Sequence, residues 1–237
     1  MKKEKIFLWI LLIIIITQIP IIIFLGNAKS SAFDLEFQEK EFNKYDPKIE
    51  DRLEIANDLT FYLSTRNADK SYIAAFTKEE KAHLIEVKLL MHSFIEMLYI
   101  SAVLLIASVL IISILDKKRM LKRISFSAVL GGILTLLYSL IFHLIVRSDF
   151  SSAWTRFHHI FFRMGNWQFP SDYLLVQLYP SQFWIDIINK IISKVLTTTV
   201  IVIVFGVLLF LLYLYKEKKA TKFFRSKEGI IYKIKNI

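Results

Sequence analysis

The chain has 237 residues, 55% of them hydrophobic and 22% charged, with a mean hydropathy of +0.48 and a formal charge of +10. A water-soluble domain of this length cannot cover so much apolar surface with so few charges, so the composition points to an integral membrane protein. The absence of cysteine excludes disulfide frameworks, thiolate metal sites and cysteine nucleophiles. In such a chain a positive balance reads as membrane topology rather than nucleic-acid binding.

A helix that crosses the hydrocarbon core needs about 20 mostly apolar residues. Four stretches supply them: 6–25, 94–115, 124–146 and 191–215. The first is longer than the ~7–15 residues of a secretory signal's apolar region and reads as a retained anchor, with a kink expected at Pro20. Residues 26–93 are too polar to span. Within them Ile49, Leu53, Ala56, Leu59 and Leu63 recur at helical spacing and predict one apolar helix face. Thr77 followed three residues later by Glu80 is a capping box, which predicts a helix start. That helix carries His83, Glu86 and Lys88 and points into the second span, which has Glu96 near its outer end; the third span has His143 near its own. Residues 147–190 are aromatic and interfacial in character, and their last part reads as two short amphipathic pieces broken at Pro180.

Orientation follows from the basic residues. Segments 1–5, 116–123 and 216–237 together hold 16 Lys or Arg against 4 Asp or Glu, whereas the rest of the chain holds 15 against 17. The positive-inside rule therefore assigns both termini and the middle loop to the cytoplasm, and 26–93 and 147–190 to the extracytoplasmic face. The expected fold is an all-α integral membrane protein, a single membrane domain over 1–237. It has four transmembrane helices, N-in and C-in, a helical outer segment between helices 1 and 2, and an interfacial helical segment between helices 3 and 4.

All five histidines, His83, His92, His143, His158 and His159, fall in the outer segments or near the outer ends of spans. Imidazole is the usual acid/base group near neutral pH. His83 and Glu86 sit three apart on a predicted helix, where a carboxylate can orient an imidazole; a solvated surface pair has the same spacing. His158 and His159 point about 100° apart on a helix, so at most one faces a given site. They lie among Phe157, Ile160, Phe161 and Phe162, flanked by Arg156 and Arg163. The flanking arginines suit an oxyanion or a lipid phosphate, or snorkelling to the headgroups, which is the better reading for Arg163. No metal or cofactor is expected, because the H-E-x-x-H spacing, a phosphate-binding glycine loop and a G-x-S-x-G elbow are all missing.

The stretch Thr77-Lys78-Glu79-Glu80-Lys81-Ala82-His83-Leu84-Ile85-Glu86-Val87-Lys88 resembles the region before the second span in the lipoprotein intramolecular transacylases. Phe157-His158-His159-Ile160-Phe161-Phe162, with Gly165-Asn166-Trp167, Asp172 and Leu178-Tyr179-Pro180-Ser181-Gln182-Phe183-Trp184, resembles that family's second outer segment. Glu86 departs from the aspartate usual there, and Gln168-Phe169-Pro170-Ser171 stands where the family tends to have an acidic loop.

The resemblance implies a cell-membrane, multi-pass enzyme with its active site on the extracytoplasmic face. It would move the sn-2 acyl chain of a diacylglyceryl-cysteine to the α-amino group of that cysteine, giving a lyso-form lipoprotein. The implied partners are a diacylated lipoprotein and membrane lipids. His83 and His158 are the implied catalytic residues, with His159 active instead if the register is displaced by one. Glu86, Arg156, His159, Asn166 and Trp167 are in support, with Arg156 and Asn166 as oxyanion donors. Two other classes fit a four-span chain: a non-enzymatic sensor or assembly partner with an outer protein-binding domain, and a small permease. The scarcity of charge inside the spans argues against the permease.

Overall fold

The computed structural model describes residues 2–162, 165 and 167–235. Among the described residues the regular elements are helical: α1 (Lys2–Ala32), α2 (Leu35–Tyr45), α3 (Arg52–Ser64), a 3-10 turn (Lys70–Ile73), α4 (Lys78–Leu115), α5 (Met120–Ser148), α6 (Phe150–Phe161), α7 (Leu174–Leu178) and α8 (Ser181–Lys235). Four of them, α1, α4, α5 and α8, are long and apolar enough to cross a membrane. Each contains one predicted span and extends beyond it. α1 continues through Pro20 without a break. α4 has 38 residues. At ~1.5 Å per residue it is about 57 Å long, nearly twice the ~30 Å hydrocarbon thickness. It thus has room for a polar beginning, where His83 lies, ahead of the apolar stretch 94–115.

The chain divides into two compact units, one of residues 1–20, 103–136 and 198–237 and another of 21–102 and 137–197. In the first unit the helices approach at glycines. A Cβ on Gly131 of α5 would lie 2.7 Å from Ile19 Cδ1 and 2.9 Å from Ile19 Cβ of α1. One on Gly206 of α8 would lie 3.1 Å from Ala128 Cβ and 3.2 Å from the Ser125 carbonyl of α5. With no hydrophobic force between helices in lipid, close backbone approach at small residues is what holds them.

The second unit has a continuous aromatic and aliphatic core: Phe42, Ala56, Leu59, Tyr62, Ile73, Phe76, Leu84, Leu178, Tyr179, Phe183 and Ile187. Two of its helices begin with side-chain caps. The Asp34 side chain accepts from Phe37 N–H to start α2, and Asp149 accepts from Ser152 N–H to start α6. Residues far apart in sequence then close the unit. Asp34 binds Lys190 at 2.6 Å, and the buried Tyr179 hydroxyl donates to Gln38 at 3.0 Å. Asp186 of α8 takes both Lys44 and Tyr45 of α2.

Two expectations are corrected. The buried face of α3 is Ala56, Leu59 and Tyr62, and Leu53 is exposed. The large, mostly apolar Tyr62 ring outcompetes Leu53 for the core, and the helix rotates accordingly. The piece after Pro180 is not a separate interfacial helix but the first turns of α8, which runs on into the fourth apolar stretch. Proline at the start of a helix costs no hydrogen bond, so Pro180 separates α7 from α8 without a turn beyond it.

Candidate active site

The capping box forms as the sequence predicts. Thr77 Oγ1 accepts from Glu80 N–H at 3.3 Å, and Glu80 Oε2 accepts from Thr77 N–H at 2.8 Å. His83 follows in the second turn of α4. His158 lies in the last turn of α6, an amphipathic helix whose Phe157, Ile160 and Phe161 are exposed while His158 is buried. The two imidazoles meet face to face, with ring centroids 6.0 Å apart and planes 26° apart. His83 is 5% exposed and His158 4%, so both stand inside the protein although they come from separate helices.

The walls are aromatic. Phe162 meets His83 edge-on at 4.7 Å and lies 5.2 Å from His158; Phe169 meets His83 edge-on at 5.7 Å. Trp154 and Trp167 flank His158 at 4.4 and 4.5 Å. Burial in these walls pushes His83 down to about 4, and the neighbouring His158 acts in the same direction. Burial also lowers His158, against an opposing contribution from the Trp154 carbonyl, with His159 lowering it further. Both rings are therefore neutral near neutral pH, the state in which an imidazole can accept a proton.

The tautomer of His158 follows from its partner. Its Nδ1 lies 2.8 Å from the Trp154 carbonyl oxygen, which can only accept. Nδ1 must carry the proton, and Nε2 is left with its lone pair.

The family model for the lipoprotein intramolecular transacylase Lit matches residues 5–184. The chain belongs to this family. A protein of Aquifex aeolicus described as uncharacterized is 25% identical in an alignment 191 residues long that covers 73% of this chain and 84% of that one. Among solved structures, the membrane-integral lipoprotein intramolecular transacylase Lit from Bacillus cereus aligns with a TM-score of 0.72 at 16% identity, covering 91% of this chain and 98% of that one. Two variants of the Bacillus cereus protein also align. One has a histidine replaced by arginine (TM-score 0.68, 16% identity, 93% and 96% covered), the other by alanine (TM-score 0.69, 15% identity, 93% and 98% covered). At such identity these structures speak to the fold: an all-helical protein with four apolar helices. As a Lit transacylase the chain is a membrane-bound acyltransferase acting in lipoprotein modification, which sets aside the sensor and permease readings.

The predicted residues of this transacylase separate into four groups. His83, His158 and Trp167 converge. His159 and Arg156 do not. Both are exposed, and His159 meets the edge of Trp167, at 5.7 Å. The 100° step between neighbours on α6 turns His158 inward and leaves its neighbour outside. Arg156, expected as an oxyanion donor, stands on the exposed side of α6, within electrostatic range of Asp149. Asn166, the other expected donor, lies outside the described residues. Glu86 is an intermediate case. The expected hydrogen bond to His83 is not formed, and Glu86 Oε2 and His83 Nδ1 are each buried without a hydrogen-bonding partner among the described residues. Residues three apart on a helix point about 60° apart, and the His83 ring turns toward Phe162 and α6.

Three lining residues escaped the sequence reading: Trp154, Phe162 and Phe169. Trp154 and Phe162 stand four residues on either side of His158, so helical spacing around a candidate histidine was the available signal. Phe169 carried none, because it arrives from an irregular segment. The second partner of Glu80 was equally hidden: its Oε1 accepts from the N–H of Leu175 at 2.6 Å.

Proposed function

We propose that this transacylase moves the sn-2 acyl chain of a diacylglyceryl-cysteine onto the α-amino group of the same cysteine, with His83 and His158 carrying the protons. The observation that supports this reading best is the meeting of two buried, neutral imidazoles from α4 and α6 with ring centroids 6.0 Å apart. In the reaction the amine nitrogen attacks the ester carbonyl. An N–C bond forms, the C–O bond to glycerol breaks, and one proton passes from nitrogen to the departing oxygen.

His158 is suited to take the amine proton, because its Nδ1 proton is engaged by the Trp154 carbonyl and its Nε2 is an acceptor. His83, neutral until the proton taken by His158 is handed to it, is suited to pass that proton to the glycerol oxygen, because burial makes its cation a strong acid. An ammonium entering the same aromatic surroundings loses its proton more readily, since low dielectric disfavours its charge. Donor ester and acceptor amine sit in one molecule, so effective molarity supplies much of the rate and the protein need only align and shuttle.

In this reading Trp167 holds the His158 ring. Glu86 supports the His83 side of the site, and Arg156 and His159 lie at the rim, where lipid or peptide arrives. Asn166 is kept as the oxyanion donor. The basic residues of 1–5, 116–123 and 216–237 support an N-in, C-in orientation in the cell membrane, with spans at 6–25, 94–115, 124–146 and 191–215. The site then opens on the extracytoplasmic face, where the diacylated lipoprotein substrate lies.

Mass spectrometry of lipoprotein N-termini, from cells with and without the protein, tests the reading. The expected result is a shift from the diacylglyceryl form to an N-acylated lyso form when the protein is made. An unchanged N-terminus, with the protein verified in the membrane, rejects it.

A further inference from the structure

The capping box at the start of α4 needs only one oxygen of Glu80. The second is spent elsewhere: Oε1 accepts from Leu175 N–H, 95 residues further along the chain, at 2.6 Å, the shorter of the two bonds. The side chain is fully buried. A carboxyl group in that position is destabilising unless its oxygens are satisfied, and here both are, each by a backbone N–H.

The receiving end lacks a cap of its own. α7 is five residues long, and its first flanking residue, Tyr173, makes no side-chain cap bond. Leu175 N–H is one of the donors that a helix start leaves open, and Glu80 closes it from another element. From Tyr173 the chain leads back to the imidazoles. Its ring stacks on Phe169 at 5.5 Å with planes 15° apart, and Phe169 in turn meets His83 edge-on at 5.7 Å. His83 stands three residues after Glu80 on α4, which completes a circuit from Glu80 through Leu175, Tyr173, Phe169 and His83.

We propose that Glu80 is a positioning residue of the transacylase, tying the start of the His83 helix to the segment that covers the two imidazoles. The inference rests on the reading that His83 takes part in the reaction. With the Leu175 bond broken, the aromatic cover over His83 loosens and water reaches the ring. Both the alignment of the rings and the dryness that keeps them neutral then suffer.

The test uses the full-length protein in lipid nanodiscs with a diacylated lipopeptide, and compares five forms: wild type, Glu80→Gln, Leu175→Pro, the double variant of those two, and Thr77→Ala. Glu80→Gln keeps the size but turns an NH2 group toward one of the two N–H donors. Leu175→Pro removes the donor itself within the first turn of α7, where the lost N–H makes no bond inside the helix. Thr77→Ala weakens the start of α4 and leaves the Leu175 bond in place. Glu80→Gln and Leu175→Pro are each expected to lower kcat about tenfold or more, with KM within about threefold, as misplacement near reacting groups does. The His83 ring, followed by NMR and assigned through His83→Ala, is expected to titrate at least about one pH unit higher than in the wild type as water enters. The double variant is expected to be no worse than either single. Thr77→Ala is expected to keep wild-type kcat within about twofold and an unchanged His83 midpoint, since cap loss acts on helix stability.

Wild-type kcat and His83 titration in both Glu80→Gln and Leu175→Pro overturn the proposal. A Thr77→Ala loss equal to that of Glu80→Gln does so too. If one of the two principal variants does not fold, the other decides. If the wild type forms no lyso product, the functional reading falls, while the His83 titration still decides the role of Glu80.

Discussion

The two compact units solve the same problem, satisfying polar groups out of water, by opposite means. In the unit of residues 1–20, 103–136 and 198–237, hydroxyls bond within their own helix turn. Thr135 donates to the Gly131 carbonyl, Ser125 to Lys122 and Ser113 to Val109. The ion pair of Arg123 with Asp116 spans seven residues. In the unit of residues 21–102 and 137–197 the decisive bonds join distant parts of the chain: Asp34 to Lys190, Gln38 to Tyr179, Glu80 to Leu175 and Asp186 to Lys44. The first arrangement lets helices pack by shape alone at glycines. The second fixes the register of helices against irregular segments, which is what bringing two histidines from separate stretches into one place demands.

The comparison is broken most severely at the histidines themselves. His158→Ala is expected to lower turnover by about 10²–10⁴-fold, the range of a lost acid/base group. His159→Ala, one residue on and exposed, is expected to stay within a few-fold. Product yield from a diacylated lipopeptide, read by mass spectrometry, decides. Equal losses at both positions remove the distinction between the buried and the exposed ring.

The next effect separates the units by pH. The His83 midpoint in the folded protein is about 4, below the ordinary 6.5, so the unfolded chain binds more protons between those values. The stabilisation tied to its neutral ring is complete above pH ~6.5 and is lost as pH falls toward about 4, on the order of 3 kcal/mol. The lowered His158 acts in the same sense. Thermal unfolding at pH 7 and pH 4.5 should show the loss in the wild type and a smaller one in His83→Phe. A stability independent of pH across this window contradicts the burial of the ring.

The smallest effect belongs to the glycine-packed unit. In Gly131→Val the new side chain meets Ile19, whose Cβ would lie 2.9 Å from even the first added atom. Overpacking of that kind costs about 1–3 kcal/mol. A lower melting temperature with an unchanged His83 titration is expected. A shifted His83 midpoint would mean that the two units are not specified independently.

How much of this was legible in the sequence follows the same division. The four long helices could be read because hydropathy is a local property of about 20 residues. So could the start of α4, because a capping box is complete within four residues. His83 and His158 were visible as candidates through the family resemblance; on spacing alone His83 pointed to Glu86, which it does not bond. The aromatic cover and the second bond of Glu80 were not legible. Phe169 and Leu175 come from segments without periodicity, and only the folded chain brings them to α4. The inward turn of α3 around Tyr62 rather than Leu53 was missed for a related reason: the apolar pattern admitted two neighbouring faces, and the core selected one.

The most direct test of the account is the turnover of His83→Ala, His158→Ala and the double variant, measured together in one reconstituted assay with a diacylated lipopeptide. Two rings that pass one proton as a unit predict that each single variant falls to nearly the same residual rate and that the double variant is no slower. Losses that multiply in the double variant, or near-normal turnover in either single, would contradict joint action of the two imidazoles.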